Sequence, residues 1–154
     1  MFKRTVLSLF CSIAILAAAY AAPMIVPGKG ITEASLGMSR KNVEAKLGAP
    51  QDMERNEFRP TDVYVCYYNR GIELVYTNDQ VSMITLHGAD KQWKAYAGAT
   101  KEGLSVMTPP ANVPKILGNP NQSREGVMTY SKLGLIVQVK NNKIDVLIVR
   151  PPGA

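Results

Sequence analysis

Two residues in this chain could act together as nucleophile and base, Cys66 and His87. An imidazole beside a thiol can draw off its proton, and the thiolate can then attack an electrophilic carbon. His87 is the only histidine and Cys66 one of two cysteines among 154 residues. One histidine excludes a multi-histidine metal cluster, and a zinc site would need several carboxylates as well. Cys66 stands between Val65 and Tyr67, an apolar setting that raises a thiol pKa and makes it inert. Asp52, Glu54 and Glu57 fall in the polar stretch 51–62, read as a solvated loop. Nothing places two of them across a cleft, as a glycosidase requires. The segment "LGMSRKNVEAKLGAP" (36–50) contains neither a P-loop nor a Gly-x-Gly-x-x-Gly cradle. A helix start beside Arg40 can attract an anion, but capping explains the same residues more simply. The chain is read as non-enzymatic, with no cofactor and no metal implied.

The elements that position these residues come in two similar blocks. "LGMSRKNVEAKLGAP" (36–50) lies over "VMTPPANVPKILGNP" (106–120), with Val43 on Val113, Leu47 on Leu117, Gly48 on Gly118 and Pro50 on Pro120. "YYNRGIELVYTNDQVSMITL" (67–86) lies over "YSKLGLIVQVKNNKIDVLIV" (130–149) without a gap, matching Tyr67 to Tyr130, Gly71 to Gly134 and Asn78 to Asn141. The first block predicts a helix over 40–47. Ser39 is its N-cap, Val43 and Leu47 share one face, and Gly48 and Pro50 end it. In the second copy Pro114 places the helix start near Asn112. The second block predicts hairpins. Ile72, Leu74 and Tyr76 alternate with Glu73, Val75 and Thr77, and Asn78-Asp79 and Asn141-Asn142 are turn pairs that tolerate positive φ. The expected fold class is therefore α+β: two tandem repeats, each a short helix or helix pair plus about three antiparallel strands.

Charge and leader narrow the class of function. Lys3 and Arg4 precede an apolar run to Ala18, and Ala19-Tyr20-Ala21 fits a cleavage site, so 1–21 is expected to be a signal peptide and the protein periplasmic or secreted. The run is too short for a membrane span. Loss of the leader would leave 16 basic against 12 acidic side chains, net +4. These charges are scattered, without the basic, aromatic-interleaved patch of a nucleic-acid surface, so no nucleic-acid partner is expected. Phe10 before Cys11 breaks the small-residue pattern of a lipid-attachment site, so no stable membrane anchor is expected after cleavage. The remaining Cys66 cannot form an internal disulfide.

The pattern G-M-S-R-x-x-V-x-x-x-L-G-x-P, followed by a three-stranded meander, resembles the superfamily that includes the β-lactamase inhibitor protein and the small SmpA/OmlA-type lipoproteins of outer-membrane assembly. Gly37, Met38, Ser39, Arg40, Val43, Leu47 and Gly48 carry the likeness, which extends over roughly 30–150. It implies helix–helix–sheet units, in tandem as in the inhibitor protein, which presents a sheet surface to an enzyme. The chain departs from the pattern by lacking paired cysteines in each unit. It also has Met107-Thr108-Pro109 where the motif would recur, and Cys11 does not support lipidation. The motif reports a helix start, and so bears on fold more than on function.

The expected division is a signal peptide (1–21), a flexible segment (22–30), a first repeat (31–86), a connector (87–103), a second repeat (104–150) and a fraying tail (151–154). By alternation Tyr64, Cys66 and Tyr68 face away from Val63, Val65 and Tyr67, and the matched Tyr67 and Tyr130 belong to the core. The expected function is an exported protein-binding or envelope-scaffold protein. It would recognise an unidentified protein partner through Tyr64, Tyr68, Glu73, Gln138 and Trp93, with the 51–62 loop. The alternatives are a small hydrolase or thiol enzyme using Cys66 and His87, or small-ligand binding in the cleft between the repeats.

Overall fold

The computed structural model describes residues 21–154, so the expected leader, save Ala21, and Cys11 lie outside the described residues. Helix α1 spans Arg40–Leu47, and the Ser39 hydroxyl accepts from the Asn42 amide. Its buried residues are Val43 and Leu47, the pair whose four-residue spacing marked one face. Helix α2 spans Val113–Leu117 and follows a 3-10 turn over Pro110–Asn112. The proline at its second position needs no intrahelical donor there.

Strands dominate the rest, and the expected α+β repeat is corrected by them. The described residues are mostly β, with eleven strands in two sheets and only two short helices. The larger sheet holds β3 (Asp52–Arg55), β4 (Asp62–Tyr67), β5 (Ile72–Thr77), β6 (Gln80–His87), β8 (Gln122–Arg124), β9 (Val127–Tyr130), β10 (Leu135–Lys140) and β11 (Lys143–Val149). Its spatial order is β3-β4-β5-β6-β11-β10-β9-β8, antiparallel throughout. Each half thus supplies four strands where three were expected. The unforeseen ones, β3 and β8, are fully exposed polar runs at the two sheet edges. Their pairing rests on main-chain bonds, and their charged side chains discourage further strand addition, so alternation could not reveal them.

The smaller sheet is β2 (Gly30–Ile31), β1 (Met24–Val26) and β7 (Ala99–Thr100), with β1 antiparallel to β2 and parallel to β7. Segment 22–30 is therefore not the flexible lead expected, because Ile25 is buried in the core. The tail 151–154 also turns back, the Gly153 amide donating to the Ser131 carbonyl (2.9 Å). One core cluster joins Val43, Val113, Ile25 and Ile31 to the inward residues of both halves, among them Leu74, Ile84, Val137 and Leu147.

Matched positions in the halves share their backbone. Gly71 and Gly134 are left-handed (φ 66° and 63°), and another chain segment passes close to each. A β-carbon at Gly71 would strike the Lys94 carbonyl, and one at Gly134 the Arg150 carbonyl. Asn78-Asp79 and Asn141-Asn142 all have positive φ, the type I′ turn that suits twisted hairpins. Tyr67 and Tyr130 are buried, and their hydroxyls donate to the carbonyls of Gly48 (3.2 Å) and Gly118 (3.1 Å) just past each helix.

Candidate functional site

Strand parity sorts the larger sheet into two faces. The inner face packs under the helices. The outer face carries a continuous row across all eight strands: Asp52, Cys66, Glu73, Thr85, Ile148, Ile136, Thr129 and Gln122, each directly opposite the next. A second row runs His87, Val146, Gln138, Val127, Arg124, and a third Glu54, Tyr64, Val75, Met83. Val75 and Val146, each only 7% exposed, lie outside the core cluster and are packed on this outer face. Charge is polarised along it: Asp52, Glu54 and Glu73 occupy one half, Arg124, Lys140 and Lys143 the other.

The structure brings together four of the five expected site residues. Tyr68, in a 3-10 turn after β4, donates its hydroxyl to Asp52 Oδ2 (3.1 Å). Its ring meets Trp93 edge-on, with centroids 4.6 Å apart. Trp93 stacks flat on His87 (3.6 Å, interplanar angle 1°), and His87 Nε2 lies 3.1 Å from Glu73 Oε2. Tyr64 is in the next row, its hydroxyl accepting from Asn56 Nδ2 (3.2 Å). Gln138 stands apart. It shares the His87 row but lies two strands away, about 10 Å at ordinary strand spacing.

Trp93 reaches this face because the connector is tied down on both sides. The Lys94 amide donates to the Tyr68 carbonyl (3.0 Å) and the Tyr96 amide to the His87 carbonyl (3.0 Å). Asp90 caps the approach, accepting from the amides of Gln92 and Trp93 (2.7 Å each). Those two amides, Trp93 first, hold its carboxyl below the usual range. Partial burial first, and then the bond to Asp52, push the Tyr68 phenol up to about 12.

Among the described residues no hydrogen bond joins Cys66 to His87. Glu73 takes the His87 ring nitrogen, and Cys66 lies opposite Asp52 and Glu73. Burial raises its thiol pKa, and the carboxylates of Glu73, Asp52 and Glu54 add to that, against an opposing hydrogen bond with Tyr68. A raised pKa keeps the sulfur protonated and a poor nucleophile. Among the described residues no group of three or more His, Cys, Asp or Glu could hold a metal ion.

Two features escaped the sequence reading. Phe58, 93% exposed, projects from the β3–β4 loop. Asn56 Oδ1 holds that loop by accepting from the amides of Phe58 and Arg59 (2.9 Å each), and Arg59 pairs with Asp62 (3.6 Å). An aromatic between Asn56 and Pro60, two turn formers, is the signal that could have found it. The second is a groove of about 690 Å³, which runs between the β10–β11 turn, the connector at Gly88–Asp90 and the segment before α2. It borders the end of the β6·β11 junction, where the Gly88 amide donates to the Asp145 carbonyl (2.7 Å). Compared with protein families, with curated proteins and with solved structures, the chain matches none.

Proposed function

We propose that the chain is an exported, non-enzymatic protein-binding module of the cell envelope or the secreted fraction. Its recognition surface in this reading is the outer face of the larger sheet. The observation that carries it is the partly exposed set Tyr64, Tyr68 and Glu73, the latter two held rigid by contact with the buried Trp93 and its stacked His87. Aromatic side chains on a fixed backbone lose little entropy on docking and dominate interface energies. Glu73 bound to His87, and a thiol held protonated, speak against the thiol-enzyme alternative.

The test uses the chain without its leader, immobilised and exposed to envelope extract. A specific partner should be retained by the wild type and lost by Tyr64→Ala and Tyr68→Ala at unchanged circular dichroism. Equal retention of every captured protein by these folded variants refutes the surface. N-terminal mass spectrometry of the exported protein tests cleavage after Ala21.

A further inference from the structure

The two halves differ at one matched place. In the first, the chain entering α1 closes onto the β5–β6 hairpin: the Gly37 amide donates to the Val81 carbonyl (2.7 Å) and the Val81 amide to the Met38 carbonyl (2.9 Å). The Arg40 amide then donates to the Asp79 carbonyl (3.2 Å), and its guanidinium meets the Asp79 carboxylate (3.4 Å). In the second half Met107, Thr108, Pro109 and Pro110 stand where Gly37, Met38, Ser39 and Arg40 stand, and Ile144 holds the place of Val81. Both of these residues pair just beyond a bulge, with Val139 and Tyr76 respectively. The clasp does not close there. The Met107 amide takes Ser105 Oγ (3.1 Å) where Gly37 reached Val81, and Pro110 has no amide proton to give; the Thr108 amide keeps to the Ser105 carbonyl (3.1 Å) the bond that Met38 makes to Ser35 (3.0 Å). The 690 Å³ groove occupies this place, with Met107 (74% exposed) on one lip and Lys140 and Lys143 on the other.

We infer that this groove docks an extended, acidic peptide segment of a partner protein. Its backbone pairs with the main chain of Ile144, and its carboxylate lies against Lys140 and Lys143. The first half shows what fits, since there the protein's own extended chain fills the matched position through one amide and one carbonyl. Strand addition of this kind draws affinity from main-chain bonds and selectivity from the flanking side chains. Charge favours an acidic occupant. Among the described residues neither lysine has a carboxylate within 4.0 Å. Of the two acids at the groove, Asp90 is engaged by the amides of Gln92 and Trp93, which leaves the Asp145 carboxylate alone against the two lysines. Met107, Pro109 and Pro110 offer apolar contact opposite.

The test mixes isotope-labelled protein (residues 22–154) with a seven-residue peptide, acetyl-Ser-Glu-Val-Asp-Val-Glu-Ser-amide. Controls are its Lys-for-acid counterpart and a version N-methylated at the central residues. The acidic peptide should shift the amide resonances of Gly88, Met107, Lys143 and Ile144, and either control should bind at least tenfold more weakly. A variant carrying Met107→Gly, Thr108→Met, Pro109→Ser and Pro110→Arg restores the first-half sequence. It should close the groove, abolish binding and keep its fold. Absence of shifts at these amides, equal binding of the basic or N-methylated peptide, or undiminished binding by the folded variant would each overturn the assignment. The outer-face variants leave this site intact, so the two readings fail separately.

Discussion

Tyr67 and Tyr130 offer a controlled perturbation, because each hydroxyl ties the carbonyl just past a helix to the sheet. Replacing either with Phe keeps the buried ring and removes only the bond. The accepting residues, Gly48 and Gly118, are exposed, so their carbonyls can turn to water and no full desolvation penalty remains. The loss should therefore fall in the ordinary range for one hydrogen bond, about 1 kcal/mol per substitution. The two tyrosines share no hydrogen-bond partner, so the double variant should lose about 2 kcal/mol, additive to within about 0.5 kcal/mol. Urea unfolding followed by circular dichroism reads this directly. With a slope of about 2 kcal/mol per molar, each substitution lowers the midpoint by roughly 0.5 M. A loss at one position with none at the other would refute the claim that the two bonds act alike. A loss above about 3 kcal/mol at either would show that the ring had moved.

Three further outcomes follow from the same geometry. Reaction of Cys66 with a thiol reagent should stay slow at neutral pH and accelerate only above the ordinary thiol range, because its pKa is raised; full-rate labelling at pH 7 contradicts this. The Tyr68 phenol, raised from 10 to about 12, contributes stability that is complete below pH 10 and lost as pH climbs through 12. Over that window Tyr68→Phe should lose less stability in urea titrations than the wild type, and parallel curves would dismiss the effect. Asn142→Gly places the preferred Asn-Gly pair in a turn whose residues have φ 50° and 57°. It should raise stability by about 0.5 kcal/mol, and a lowered urea midpoint would contradict the turn assignment.

The legible parts of the fold were those written in local periodicity. The hairpins 72–87 and 135–149 followed from alternation and Asn turns, and α1 from Ser39, Val43, Leu47 and Gly48. The class is mostly β because the helices span only eight and five residues, too little to form a layer comparable to the sheet. Edge strands β3 and β8 carry no buried face, and β1, β2 and β7 are two or three residues long, held by partners distant in sequence. At the site, parity placed Tyr64, Tyr68, Glu73 and Gln138 on one face. The stack of Trp93 on His87 and the bond from His87 to Glu73 depend on the path of the connector, which no periodicity records. The groove was invisible for a related reason: the same motif closes in one copy and stays open in the other, and the prolines at 109 and 110 say so only once Arg40 is seen using its amide.

The four pairs that join β6 to β11, from Ile84–Val149 to His87–Val146, are the only strand pairing between the halves of the larger sheet. Every other pair in that sheet links strands consecutive in the chain, whereas this seam joins residues about sixty apart. Order of assembly follows from that. Each four-stranded half can zip through local turns, and the seam must wait for a long loop to close, so its formation sets the pace of folding. During synthesis the first half can form while the second is still being made. Until the seam closes, the outer edge of β6 stays open to any other strand, which makes a swap between two chains the characteristic misassembly of this architecture.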